Sequence, residues 1–455
     1  MEKFDCISPL DYRYGSEKFS KFLSEEARVR YQAKVEAALA KALAKRGICS
    51  KKCAEEIAAA AEKVKAEEVY AEEEKIKHDV RALANCIRAK VSEEAKPFVH
   101  FGATSYDIVD TASALRYKEA TEQVVLPALL ELEKVWIELA LREKNTLQIG
   151  RTHGQHAEPI TFGFAVAEFV NRLGGRINAI EKAKGSLEGK FSGAVGSYNA
   201  TSIFLDDPVE LEKEIMKELG LKPAMHSTQI VPPESLQDLL HALISAFCVL
   251  ANFSDDMRNL QRSEIAEVAE AFGEKQVGSS TMPHKRNPIN FENVKSLWKE
   301  FMPRMQTVYM DSISEHQRDL TNSASARFLP EIFAGLAASA ERLAKVSGKL
   351  VVDKESMRRN FDKSSNSIVA EPLYILLAMN RHPDAHEAVR QLTLEAEKTG
   401  KPVIEIAEGK KELAAYIGKL SQKQKGILRD PAKYTGKAAE RTEQVCARWK
   451  KELKI

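Results

Sequence analysis

Thirteen consecutive residues, Gly278-Ser-Ser-Thr-Met-Pro-His-Lys-Arg-Asn-Pro-Ile-Asn290, hold a glycine, two adjacent serines, and a histidine, lysine and arginine between two prolines. Hydroxyls and free backbone N–H groups near Gly278, followed by Lys285 and Arg286, suit a site that handles negative charge. The glycine and prolines make the block a poor helix and a poor strand. It reads as a loop between helices with a purpose of its own. The plainer reading is a connector that happens to be basic.

Other polar breaks could contribute to such a site. Gly150-Arg-Thr-His-Gly-Gln-His-Ala-Glu-Pro159 carries His153 and His156 in a stretch that resists assignment to any regular element. Imidazoles titrate near neutral pH, so two in one Gly-flanked break are candidates for proton transfer. In His100-Phe-Gly-Ala-Thr-Ser105, Gly102 breaks a helical run and Thr104-Ser105 reads as the cap of the next helix. A helix start offers N–H groups to a carboxylate; capping alone would explain both residues, while His100 has no evident structural task. In the opening loop Ser8–Gly15, the Arg13 guanidinium and Tyr14 hydroxyl could hold a phosphate, although a surface turn is the simpler reading. Lys77-His78-Asp79 would ordinarily be a solvated face. Ser227–Glu234 is a loop with Pro232-Pro233 just before the next helix. Arg318, Ser323 and Arg327 fall within one ten-residue stretch. The Gly-rich run Gly189–Ser197 lacks the Lys-Ser/Thr ending and the preceding strand of a phosphate-binding P-loop.

The elements that must position these breaks are helices. Runs rich in Ala, Glu, Lys and Leu predict helix over 24–46 and 51–75. Apolar residues at helical spacing predict one long helix over about 110–145, others over 162–187 and 291–312, and one running on to about Glu270. No stretch alternates convincingly as a strand. The chain is therefore expected to be all-α, its long helices burying their apolar stripes in a bundle and in an oligomer. The expected division is an N-terminal helical domain over 1–110, a central long-helix bundle over 111–362 and a C-terminal helical domain over 363–455. With 455 residues, 29% of them charged and a net charge of only +2, the chain lacks the basic excess of a nucleic-acid or membrane-surface binder. Its six cysteines show no Cys-x-x-Cys spacing and no metal-ligand pattern, as expected of free thiols in a reducing compartment. The first residues lack a signal-peptide pattern. The longest apolar run, Ala242–Phe253, is too short to span a bilayer. A soluble cytoplasmic protein is expected.

The 278–290 loop resembles the signature Gly-Ser-Ser-x-Met-Pro-x-Lys-x-Asn of the fumarase/aspartase superfamily. Gly150–Pro159 looks like its Arg-Thr-His-Gly region, and His100–Thr111 like its Thr-Ser region, so the likeness spans most of the chain. Within the superfamily the adenylosuccinate lyases are most similar. Arg13-Tyr14, Lys77-His78-Asp79, the trio Arg318, Ser323 and Arg327, and Met282-Pro-His-Lys-Arg-Asn-Pro288 carry that resemblance. It implies a three-domain helical fold and a homotetramer with a core of roughly 20 helices. Each active site would be shared among three subunits, with no metal or organic cofactor. The implied reaction is β-elimination of fumarate from adenylosuccinate, giving AMP, and from its imidazole-carboxamide counterpart SAICAR, giving AICAR. An argininosuccinate lyase or a carboxymuconate cycloisomerase would share the loop without needing to hold a nucleotide phosphate. A non-catalytic helical scaffold of the same descent would have lost the serine or the histidine, and both are present.

The resemblance also assigns roles. Ser279 would be the base and His153 the acid that protonates the leaving nitrogen, with Glu292 orienting or charging a histidine. His78 and His100 would support the phosphate or a carboxylate. Lys77 and Asp79 would contact substrate beside them. Arg13, Tyr14, Arg318, Ser323 and Arg327 would hold the nucleotide, and Thr104 and Ser105 a succinyl carboxylate. Gln229 would lie near the substrate, and Lys285 and Asn287 would oppose the growing charge. The loop is expected to be mobile until substrate closes it. Where many relatives carry an Arg-Asp pair after the glutamine, this chain has Pro233-Glu234, and His156 receives no role.

Overall fold

The computed structural model describes residues 5–15, 17–273, 280–282 and 284–455. Gly278 and Ser279, and with them the expected mobility of the loop, lie outside the described residues.

Helices dominate, and their ends follow local chemistry. Helix Glu25–Lys45 begins where the Ser24 side chain accepts from the Ala27 N–H at 3.2 Å, with Glu25 and Glu26 in its positive first turn. The run expected as one helix over 51–75 is two, Lys51–Ala61 and Ala66–Ile76. Glu26 of the neighbouring helix accepts from the Ala66 N–H at 2.9 Å, supplying a start that local sequence does not encode. Helix Ser105–Ala120 runs through a π turn, Thr121–Val125, into Leu126–Arg142, as the long apolar stripe implied. The helix expected to reach Glu270 instead ends at Leu260. Beyond it, Val268–Ala269 pairs antiparallel with Val351–Val352.

The chain divides into two compact units. The first comprises Met1–Leu130, Gly175–Leu250 and Lys295–Glu341, the second Glu131–Gly174, Ala251–Val294 and Arg342–Ile455. The cuts fall inside five helices, Leu126–Arg142, Phe162–Lys184, Glu234–Leu260, Ile289–Phe301 and Pro330–Ser347. In the second unit, Trp136 and Phe253 stack at 4.3 Å, Phe169 meets Phe253 edge-on at 5.2 Å, and Phe291 closes the group. The buried Trp136 indole donates to Ser347 Oγ at 3.2 Å, so its polar edge is satisfied. A separate core unites Leu373, Leu377, Val389, Leu392, Val403 and Leu413 in the C-terminal helices.

In the first unit, Tyr117 stacks on Phe333 at 5.0 Å and Phe247 on Phe301 at 6.2 Å. A methyl group on Gly335 would overlap the Phe301 ring. Gly335→Ala should therefore destabilise the fold by about 1–3 kcal/mol despite its better helix propensity, read as a lowered denaturation midpoint.

Helix Glu234–Leu260 is long and apolar enough to cross a membrane, with a mean hydropathy of 1.5 over its most apolar window. That departs from the expectation, which counted only unbroken apolar runs. Sixty-one per cent of the window is buried within the protein, the pattern of a core helix.

Candidate active site

Helix Ser105–Ala120 forms one wall of a cavity of about 620 Å³ in the first unit. Ser105, Val109, Ser113 and Arg116 repeat at helical spacing along that wall, with Tyr106, Asp110 and Tyr117 beside them. Seven sequence-predicted residues line the same cavity: Lys77, His78, Asp79, Ser105, Gln229, Ser323 and Arg327. Arg318 lies against the wall. Its guanidinium sits 4.1 Å over the Tyr106 ring, donates to the Tyr106 hydroxyl, and reaches Asn322 Oδ1 at 3.0 Å. Arg13, Tyr14, His100 and Thr104 are not among the lining residues. Arg13 and Tyr14 end a π turn, Leu10–Tyr14, with Arg13 exposed.

Several of these residues have local work that their sequence context conceals. Lys77-His78 is exposed, as expected, and forms a junction between helices. Lys77 is left-handed (φ 59°) and closes Ala66–Ile76, while His78 caps Asp79–Arg88 by accepting the Arg81 N–H at 3.3 Å. His100, which had no evident task, is also left-handed (φ 59°) and held by buried Glu36. Glu36 accepts its backbone N–H at 3.1 Å and lies 2.6 Å from its Nδ1. Burial alone would lower the His100 imidazole, but the Glu36 carboxylate more than reverses this and raises it. Thr104 caps Ser105–Ala120, its own N–H donating to Asp107 Oδ2 at 2.9 Å.

Sequence reasoning passed over five further groups that line this cavity. Glu25 accepts from Arg28 at 2.5 Å and from the Tyr70 hydroxyl at 2.6 Å, with Arg327 3.7 Å away. Burial would raise the Glu25 carboxyl, but Arg28, Tyr70 and Arg327 together hold it below its usual range. Burial pushes Asp110 up to about 6, although it accepts the Val231 N–H at 2.9 Å. Tyr106 and Arg116 complete the five. Spacing could have found Tyr106, Asp110 and Arg116, because they share a helix with Ser105. Glu25 and Arg28 sit in what reads as an ordinary amphipathic helix. Buried polar atoms are normally paired, yet among the described residues Glu73 Oε2 and Arg116 Nε at this cavity, and Arg318 Nε beside Tyr106, are buried without a partner.

In the second unit, the Gly150–Pro159 break is a hairpin, correcting the expectation that it holds no regular element. Strand Leu147–Thr152 pairs antiparallel with Gln155–Thr161. His153 (φ 53°) and Gly154 (φ 75°) form the two-residue turn, both left-handed as a type I′ turn requires. Thr152 faces Gln155 across it, and His153 is exposed at the tip. Gly150 admits no side chain, since a Cβ there would lie 2.8 Å from Glu158 O. Buried Glu267 anchors the hairpin: it takes both Arg151 nitrogens, at 2.5 and 3.2 Å, as well as Gln148 at 2.8 Å and Asn360 at 3.0 Å. His156 lies 2.7 Å from Ser364 Oγ on the wall of a cavity of about 1350 Å³. Burial, and then Arg151, lower its imidazole.

Three residues past Glu267, buried Glu270 holds the end of the 278–290 loop. It accepts from Asn290 N at 2.9 Å, Asn290 Nδ2 at 2.6 Å and Phe291 N at 3.0 Å, at the start of helix Ile289–Phe301. Burial raises the Glu270 carboxyl in spite of these donors. Gln261 Nε2 donates to Arg286 O at 3.3 Å, and the Arg286 guanidinium lies 5.1 Å over the Phe272 ring. Lys285 and Glu292 are exposed and Asn287 half-buried. Ser279 lies outside the described residues.

Comparison with known proteins gives this arrangement its family. Residues 12–300 match a family described as lyase, and residues 314–426 match the adenylosuccinate lyase C-terminal family. The adenylosuccinate lyase of Pyrococcus abyssi is 40% identical over 447 residues, 97% of each chain. That of Archaeoglobus fulgidus is 35% identical, covering 98% of this chain and 99% of its own. The chain belongs to the adenylosuccinate lyase family. The Bacillus subtilis adenylosuccinate lyase is 33% identical over 76% of this chain and 79% of its own. A 3-carboxy-cis,cis-muconate lactonizing enzyme from Pseudomonas putida has the same fold, with a TM-score of 0.84 at 24% identity over 97% of this chain and 99% of its own. Membership in the adenylosuccinate lyase family, and in the fumarase/aspartase superfamily to which it belongs, thus rests on likeness along nearly the whole chain as well as on the signature loop.

Proposed function

We infer that this chain is a carbon–nitrogen lyase that splits adenylosuccinate into AMP and fumarate, and SAICAR into AICAR and fumarate. The near-full-length identity to adenylosuccinate lyases carries this reading. A base removes a proton from the carbon next to a carboxylate. The electron pair left behind forms the double bond of fumarate as the C–N bond breaks, and the nitrogen departs with the C–N bonding pair and takes up a proton on it. Charge accumulates on the carboxylate during proton removal, so the site must place cations and N–H donors there.

Ser279 serves as the base in this proposal. Each tenfold gain in its ionised fraction requires about 1.4 kcal/mol of stabilisation, which Lys285, Asn287 and the loop amides supply once the loop closes. His153 protonates the departing nitrogen from the tip of its hairpin, with Glu292 orienting or charging a histidine. Thr104 and Ser105 take a succinyl carboxylate at the helix start. Arg13, Tyr14, Arg318, Ser323 and Arg327 hold the nucleotide, with Lys77, His78, Asp79, His100 and Gln229 completing the substrate contacts. Three helical domains, over 1–110, 111–362 and 363–455, and a cytoplasmic homotetramer whose sites draw on three subunits belong to the same reading.

Adding adenylosuccinate to the purified protein should change the ultraviolet absorbance as AMP forms. Folded protein that leaves the absorbance unchanged would sink the reading, and turnover of argininosuccinate or a carboxymuconate instead would move it to another branch of the superfamily.

A further inference from the structure

We propose that Asp107, clamped by Lys190, is the positioning residue that sets the carboxylate-binding turn Thr104-Ser105, and that the Gly189–Ser197 loop is the strut through which it does so. The proposal rests on the role given above to Thr104 and Ser105. Neither Asp107 nor Lys190 has a part in the reaction as described so far, and the Gly-rich loop had no role.

Asp107 is fully buried. Its Oδ2 accepts the Thr104 N–H at 2.9 Å. Its Oδ1 accepts from Ser192 N at 3.1 Å, Gly193 N at 3.2 Å and the Lys190 ammonium. Lys190, equally buried, also donates to Gly193 O at 3.2 Å. Its backbone is stitched to Thr111, which accepts from Lys190 N at 3.0 Å and donates to Lys190 O at 2.9 Å. A capping residue three positions into a helix ordinarily works at the surface, where a neutral side chain suffices. Here the carboxylate has given up its hydration, a cost recovered only with a full set of donors. Apart from the Thr104 N–H, those donors come from a single distant loop.

The far side of that loop is equally fixed. Ser192 Oγ lies 2.6 Å from Ser227 Oγ, and a Cβ on the left-handed Gly196 (φ 78°) would overlap Ser227 O. Two residues on is Gln229. Thr104-Ser105 and the Gln229 segment are therefore both tied to one buried ionic hub, in addition to the Val231 N–H that Asp110 accepts at 2.9 Å further along the same helix.

The double variant Asp107→Asn with Lys190→Met removes both charges, so no uncompensated ion is left buried. Fumarate and AMP are then tested separately as product inhibitors. The inhibition constant for fumarate should rise about tenfold, the loss of one or two well-placed hydrogen bonds, while that for AMP changes less than about threefold. Equal weakening of both, or none, overturns the proposal, because a merely structural defect would not single out the dicarboxylate. In the wild type, fumarate should slow amide exchange over 104–107 and over 190–193 together, and protection confined to the first segment overturns the strut whether or not the variant folds. Wild-type turnover of adenylosuccinate, measured alongside, separates failure of this proposal from failure of the functional reading.

Discussion

Replacing His153 by asparagine should lower kcat by about 10²- to 10⁴-fold, the usual worth of a positioned general acid. Asparagine is the informative substitution because His153 and Gly154 both have positive φ in a two-residue turn. Asn-Gly is the pair such a turn prefers, whereas alanine would add backbone strain of its own. The side chain is exposed at the tip of the hairpin. The anchors beneath it, Arg151 and Gln148 on Glu267, are untouched. The thermal midpoint should stay close to that of the wild type, so lost turnover reports chemistry rather than folding. Steady-state kinetics with adenylosuccinate, together with a melting curve, decide the matter. Near-normal kcat in a folded variant would remove His153 as the proton donor and move attention to His156 on the same hairpin.

That hairpin also shows where the sequence stopped being legible. Helical periodicity was strong enough to place the long stripes, because burying one face of a long helix leaves a repeated pattern. A short hairpin leaves little. Its turn carries His-Gly in place of the more recognisable Asn-Gly, and Gly150 and Pro159 look like breakers in any window. What holds it is Glu267, more than a hundred residues away. The split between Ala61 and Ala66 was hidden for the same reason, since its cap comes from Glu26 on another helix.

The candidate site divided in a similar way. Residues in unusual local composition, such as Lys77-His78-Asp79 and Arg318 to Arg327, stood out, and the fold gathers several of them at one cavity. Residues whose importance lies in what they touch did not. Asp107 reads as an ordinary helix-start acid, and Glu270 as the end of a long helix, until their donors are seen. His100 was conspicuous for the wrong reason, as an imidazole without a structural partner, when Glu36 sits against it.

Glu133→Leu should stabilise the protein by about 3 kcal/mol at pH 7, although most single substitutions destabilise. Glu133 lies on helix Leu126–Arg142 with its side chain fully buried, and neither carboxyl oxygen has a hydrogen-bond partner among the described residues. Burial pushes its carboxyl up to about 9 from an ordinary value of 4.5. The folded state therefore keeps the proton while the unfolded chain releases it. Above pH 4.5 the unfolded state binds fewer protons, so this group lowers stability as pH rises, and the loss levels off once pH passes about 9. Leucine has no such dependence. The stability difference between variant and wild type should widen by about 1.4 kcal/mol per pH unit from pH 5 to pH 8. Because its own chain already encloses Glu133, assembly with further copies cannot supply the missing partner. Denaturant unfolding at pH 5.5 and pH 7.5 reads the effect directly. A difference that stays constant between the two would mean that Glu133 is ionised and paired in the folded protein.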